Sequence, residues 1–104
     1  MTYRGRFAPS PTGQLHLGSL VAALGSWLCA RHAGGQWLVR MEDIDPPREV
    51  PGSAAGMLAA LPAFGLLPDE PALVKSQRLT AYDAAFEQLR ATRQLFACWC
   101  SRSE

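Results

Sequence analysis

Between Arg6 and Leu20 the chain reads RFAPSPTGQLHLGSL, placing Pro9, Pro11, Gly13 and Gly18 directly ahead of a long apolar segment. Proline fixes its φ angle and lacks a donor N–H, so regular structure must stop before this loop and restart after it. Arg4 to Ala8 reads as a short buried strand. From about Ser19, the residues Leu20, Val21, Leu24, Trp27 and Leu28 recur at helical spacing. Ala22, Ala23, Ser26 and Ala30 keep the other side of that helix small, which permits close packing on a sheet. His32 to Gly35 ends the helix with glycines, and QWLVRM follows as a strand whose apolar character predicts burial on both faces. Strand, helix, strand in this order is the parallel crossover unit.

After it comes EDIDPPREVPG, a polar loop holding Pro46, Pro47 and Pro51, then a helical SAAGMLAAL that Pro62 and Gly65 interrupt early. A third helix is predicted over roughly Leu79 to Gln94, with Leu79, Tyr82, Phe86, Leu89 and Arg93 on one stripe. Phe96 to Trp99 reads as strand, and Ser101 with Glu104 has the spacing of a capping box that opens a further helix. The order predicts an α/β fold, a Rossmann-like parallel sheet with flanking helices. Residues 1–104 then read as the amino-terminal piece of something longer.

The 104 residues suffice for one compact domain, and 48% of them are hydrophobic, which argues against disorder. A net charge of +1 gives no global basic field, so any polynucleotide contact must be local. The amino terminus lacks the apolar run of a secretory signal, and the three cysteines are an odd number, so a reducing cytoplasm is expected. Leu15 to Ala33 is interrupted by Gly18, Ser19, Gly25 and Ser26 and falls short of the roughly 20 apolar residues of a bilayer span. It reads as a core helix, with Cys29 in the core, and no membrane partner is expected.

In a parallel sheet, ligands bind beyond the carboxyl ends of the strands, and the loop joining the first strand to the first helix is the usual phosphate station. Neither GxxxxGK[ST] nor GxGxxG occurs there, so the loop is neither a P-loop nor a dinucleotide fingerprint. His16 to Ser19 would open the helix, where unpaired N–H groups and the helix dipole favour an anion. His16 can hydrogen-bond phosphate oxygens as charge builds, and Gly18 lets a flat base approach the backbone. Equally, His16 can simply cap the helix and Gly18 relieve crowding.

RFAPSPTGQLHLGSL closely resembles the first signature of class I aminoacyl-tRNA synthetases in its glutamyl-branch form, with His16 to Ser19 matching the HIGH tetrapeptide. The resemblance continues through GGQWLVRMEDIDPPREV and SQRLTAYDAAFEQL to CWCSR, and so covers essentially all of the chain. EDIDPPREV and the GSLVAALGSWL helix are similar to the glutamyl-queuosine tRNA(Asp) synthetases within that branch. Such enzymes activate glutamate with ATP and attach it to queuosine in the anticodon of tRNA(Asp). An ordinary glutamyl-tRNA synthetase fragment, a small nucleotidyltransferase, or a nucleotide-binding module without turnover are the alternatives.

The resemblance implies that Arg6 holds the glutamate side chain, that Ser10 and the backbone of Phe7, Ala8 and Pro9 line the same pocket, and that Glu42 pairs with the α-ammonium. His16 and Gly18 would contact ATP, with His16 the catalytic residue. Read from the residues alone, Arg6 can be a surface charge, and Glu42, Asp43 and Asp45 can bind Mg²⁺ or form a solvated turn. Cys98 and Cys100 are half a tetrahedral zinc site or simply free thiols. In the family the remaining zinc ligands, a tyrosine and a cysteine, would lie just beyond Glu104, so the chain would end within a zinc-binding insertion. The fourth HIGH position is Ser19 where many class I enzymes carry a second histidine. No Lys-Met-Ser-Lys-Ser loop is present, and Lys75 and Ser76 precede a helix in the wrong part of the fold to replace it. The 104 residues alone are therefore expected to be inactive, and monomeric.

Overall fold

The computed structural model describes residues 1–101. Three strands, β1 (Arg4–Phe7), β2 (Gln36–Met41) and β3 (Leu73–Val74), form a parallel sheet in the order β1-β2-β3. Two helices, α1 (Leu17–His32) and α2 (Ser53–Ala63), connect them, and α3 (Leu79–Ala91) follows a short 3₁₀ turn at Lys75–Arg78. Arg6 is in register with Leu38 and Phe7 with Val39. Among the described residues no helix is long and apolar enough to cross a membrane.

Close packing of α1 on the sheet follows from small residues, as the sequence predicts for Ala23, Ser26 and Ala30, whereas Ala22 is exposed. Ala23 and Ala30 are fully buried, and a Cβ built on Gly5 of β1 would lie 3.1 Å from the Ser26 carbonyl oxygen and 3.3 Å from the Ala30 Cβ. The Ser26 hydroxyl accepts the Trp37 indole N–H at 2.9 Å and donates to the Ala23 carbonyl at 3.0 Å, so the buried indole keeps a partner. Phe7 stacks on Trp37 with ring centroids 6.4 Å apart, and Val39, Leu61 and Leu66 complete the core.

Several expectations need correction. Exposure alternates along both β1 and β2, so the sheet is buried on one face only, and Arg4, Arg6, Gln36, Leu38 and Arg40 share the more open face. Ala30 takes the sheet-facing position of α1, leaving its neighbour Cys29 exposed rather than in the core. Helix α1 opens within His16 to Ser19 as expected, with Leu17 its first residue, but α2 runs through Pro62 to Ala63, because a proline in the last turn removes only one intrahelical bond. Residues 96–101 form no strand, and Phe96 and Trp99 are both 88% exposed. Strand β3 was not anticipated, since two residues carry no periodicity. The capping-box expectation involving Glu104 lies outside the described residues.

Candidate functional site at the carboxyl edge of the sheet

The proline-rich loop is fastened at three points. The Pro9 carbonyl accepts the Glu42 N–H at 2.9 Å, and the Pro11 carbonyl accepts the Val50 N–H at 2.9 Å. Gly13 is joined to Ser53 twice, its N–H donating to Oγ at 3.1 Å and its carbonyl accepting the Ser53 hydroxyl. Both prolines thus act through their carbonyls, where the missing N–H is irrelevant, and their fixed φ angles reduce the entropy lost in holding the loop. The loop that closes β1 is thereby tied to the segment leaving β2 and to the first turn of α2.

His16 is the N-cap of α1. Its Nδ1 accepts the Ser19 N–H at 3.2 Å, and Nε2 lies 3.1 Å from the Ser19 hydroxyl. Gly18 makes room for the ring, since a Cβ there would stand 3.0 Å from the His16 Cε1. Both simple roles foreseen for this pair, capping and relief of crowding, are therefore present. They also hold an exposed imidazole at the positive end of a 16-residue helix.

Glu42, immediately after β2, has both oxygens engaged. Arg40 reaches Oε1 through Nε at 3.1 Å and Nη2 at 2.8 Å, and Lys75 reaches Oε2 at 2.8 Å. The Lys75 hydrogen bond holds the carboxyl below its usual range; partial burial opposes this, and Arg40 adds to it. Asp43 accepts the Ser76 N–H at 2.9 Å and the Ser76 hydroxyl at 2.5 Å. Burial pushes the Asp43 carboxyl up, but the Ser76 bonds outweigh it and the net shift is downward. Asp45 pairs with Arg48 at 2.9 Å. Each of these carboxylates has a protein partner, so the acidic turn is a set of ion pairs and hydrogen bonds rather than a cage of free oxygens suited to Mg²⁺.

Topology brings Arg6, His16 and Glu42 to one edge: Arg6 near the end of β1, His16 at the start of α1, and Glu42 just past β2. Arg6 is exposed on the open face that it shares with Arg40. Ser10 is exposed, Ala8 and Pro9 are half-buried, and the Phe7 side chain belongs to the core, leaving only its backbone to a ligand. A cavity of about 570 Å³ lies between Gly13–Leu15 and α2, and none of Arg6, His16 and Glu42 lines it. Arg6 and His16 are exposed at this edge and Glu42 is half-buried.

Cys98 and Cys100 are both exposed, and hydrogen bonds from the Cys100 backbone and thiol hold the Cys98 thiol below its usual range. Among the described residues no group of three or more His, Cys, Asp or Glu gathers for a metal ion, so the pair supplies at most half of a tetrahedral zinc set.

Arg40 carries no signal in the sequence, and Lys75 and Ser76 stand out there only as a poor substitute for the Lys-Met-Ser-Lys-Ser loop. Lys75 and Ser76 stand 33 residues from their acidic partners, and only the pairing of β3 with β2, Met41 beside Val74, brings them there. Lys75 is the sole lysine in the chain.

A family model described as tRNA synthetases class I (E and Q), catalytic domain, matches residues 2–104. A Glutamyl-Q tRNA(Asp) synthetase of Xanthomonas oryzae is 60% identical over 103 residues, covering 99% of this chain and 34% of the relative. One from Burkholderia orbicola is 61% identical over 102 residues, again covering 34% of the relative. The chain thus spans about a third of the length of these relatives. A crystal structure of a glutamate tRNA ligase from Elizabethkingia meningosepticum, in complex with its amino acid, superposes with a TM-score of 0.82 at 41% identity, covering 88% of this chain and 20% of that one.

Proposed function

The chain belongs to the class I tRNA synthetases (E and Q), catalytic domain, and from that premise we propose that it contributes to ATP-dependent activation of glutamate and its transfer to queuosine in the anticodon of tRNA(Asp). The observation that carries the finer reading is the 60% identity to Glutamyl-Q tRNA(Asp) synthetases over nearly the whole chain, against 41% to the glutamate tRNA ligase. The same reading makes it a cytoplasmic monomer.

In this mechanism Arg6 clamps the side-chain carboxylate of glutamate, because a guanidinium can make two parallel hydrogen bonds to it. The backbone of Phe7, Ala8 and Pro9, with Ser10, walls that subsite, and Glu42 receives the α-ammonium. The α-carboxylate then attacks the α-phosphorus of ATP and pyrophosphate leaves, giving the mixed anhydride. Transfer breaks the bond between acyl carbon and phosphate oxygen, and AMP departs. No covalent bond to the protein forms, so catalysis is alignment and charge stabilisation.

His16, at the positive end of α1, donates to the phosphates as negative charge develops, and a donor of this kind contributes about 3 to 4 kcal/mol to the transition state. Gly18 presents bare backbone to the base. Because Glu42, Asp43 and Asp45 are already paired, Mg²⁺ would be held by the nucleotide's own phosphates. Zinc lacks a complete donor set here, and no step depends on it.

Calorimetry with a non-hydrolysable glutamyl-adenylate analogue tests the site: His16→Ala and Glu42→Ala should each weaken binding, and equal affinities in all three chains would remove it. For the transfer step, the 104 residues can replace the matching third of the Xanthomonas relative. That chimera should charge tRNA(Asp) bearing queuosine and not tRNA(Asp) lacking it; charging of tRNA(Glu) instead would favour glutamyl-tRNA synthetase. The 104 residues alone, with Lys75 as their sole lysine and no Lys-Met-Ser-Lys-Ser loop, should give no glutamate-dependent ATP–pyrophosphate exchange.

A further inference from the structure

The two cations on Glu42 differ in kind. Arg40 converges on Oε1 from two residues away on the same strand face, with Nε at 3.1 Å and Nη2 at 2.8 Å, so two hydrogen bonds hold that one oxygen. Lys75 arrives from a separate element and places one ammonium 2.8 Å from Oε2. A primary ammonium is also the group that an α-amino acid presents. Lys75 therefore fills, with the same chemistry, the half of Glu42 that an amino ligand needs.

A carboxylate has lone pairs to spare, but a third cation beside Arg40 and Lys75 would meet repulsion from both. The lysine is the contact that can yield. Its stem is flexible, and the side chains of Lys75 and Glu42 are 23% and 27% exposed, so the freed ammonium has water to move into. The neighbouring backbone stays fixed meanwhile, because the Ser76 N–H and hydroxyl remain on Asp43.

We propose that Lys75 sets the affinity of the site for amino ligands: its ammonium is an internal stand-in for a ligand's ammonium, and the two compete for Oε2 of Glu42. This rests on the reading that Glu42 receives the α-ammonium. Ligands without that group gain nothing from displacing Lys75, whereas amino ligands must offset the lost ion pair. Lys75 thus lowers the affinity for glutamate and keeps Glu42 neutralised while the site is empty.

The test uses the whole chain. Calorimetry with L-glutamate and with 2-hydroxyglutarate, in which a hydroxyl replaces the ammonium, is run on the native protein, Lys75→Gln, Lys75→Arg and Glu42→Gln. Release of one partly exposed ion pair should tighten glutamate binding to Lys75→Gln about fivefold. Binding of 2-hydroxyglutarate should not change, and Lys75→Arg should bind glutamate no better than the native chain.

Because Lys75 is the sole lysine, ¹⁵N-lysine labelling gives a single side-chain resonance, which glutamate should move toward that of free lysine without any substitution. Weaker glutamate binding by Lys75→Gln, or an unmoved resonance under saturating glutamate, overturns the competition and leaves the Glu42 assignment standing if Glu42→Gln also weakens binding. Unchanged affinity in Glu42→Gln, or no glutamate binding by native chain and Lys75→Gln alike, overturns that assignment and the competition with it.

Discussion

The imidazole of His16 lies against Gly18, so closely that a Cβ on Gly18 would stand 3.0 Å from Cε1 and 3.1 Å from Nδ1 of the ring. One small residue therefore sets where the proposed catalytic donor points. Gly18→Ala should push the ring off the Ser19 amide. Loss of the cap costs about 1 kcal/mol, while alanine in place of glycine recovers up to about 1 kcal/mol, so stability should stay within about 1 kcal/mol of native. Affinity for the adenylate analogue should fall about tenfold. Thermal melts and calorimetry on the same sample separate the two effects, and an unchanged affinity would mean that ligand binding does not depend on the ring position.

Gly35 is a sharper constraint. A Cβ there would overlap the Tyr3 carbonyl oxygen and stand 2.8 Å from the Tyr3 Cβ, at the point where the Gln36 N–H donates to that same carbonyl at 2.9 Å. Neither backbone can retreat without breaking the start of the β1–β2 ladder. Gly35→Ala should cost about 3 kcal/mol or more, in the range of severe core defects. Urea denaturation measures it, and a loss below about 1 kcal/mol would show that the Tyr3 segment is free to shift.

The parts of this arrangement that were legible in the sequence are those with a local cause. Prolines and glycines mark the loop, QWLVRM gives the bounds of β2, and the small residues Ala23, Ser26 and Ala30 indicate which side of α1 meets the sheet. Burial of the larger residues was not legible, because Leu17, Val21, Leu24 and Leu28 lie away from the sheet and are about half exposed or more. Periodicity shows that a face is apolar and does not show what covers it. Arg6, His16 and Glu42 could be placed at one edge from the order of elements alone. The partners of Glu42 and Asp43 could not, since they depend on a two-residue strand.

The same partners fix how stability responds to acid. The carboxyls of Glu42 and Asp43 lie below their ordinary values of 4.5 and 3.8, as does that of Asp69, held first by Arg31 and then by the Trp37 N–H. A carboxyl lowered by folding contributes stability that is complete above its ordinary value and is lost as pH falls through the lowered one. Urea midpoints should therefore be level from neutral pH down to about 5 and fall below it. Glu42→Gln should remove about 1 kcal/mol at neutral pH and less in acid, so that its curve converges with the native one. Parallel curves at all pH values would mean that the Lys75 and Arg40 pairs contribute nothing to folding.

The loop fastening makes a prediction about binding in which the catalytic groups themselves are untouched. Ser53 Oγ accepts the Gly13 N–H at 3.1 Å and its hydroxyl donates back to the Gly13 carbonyl, so one side chain satisfies both polar groups of a loop residue three positions before His16. Ser53→Ala leaves that N–H and carbonyl to water, and Ser53 is only partly buried, so the loss in stability should be about 1 kcal/mol. The Pro9–Glu42 and Pro11–Val50 bonds remain, and the loop should stay attached at its start while loosening near His16. Hydrogen exchange should rise at Gly13 to Leu15 and not at Glu42. Affinity for the adenylate analogue should drop severalfold, chiefly through an entropic cost of reordering the loop. If exchange rises there and affinity does not fall, the position of His16 is set by its own cap and by Gly18, and the proline-rich loop serves folding alone.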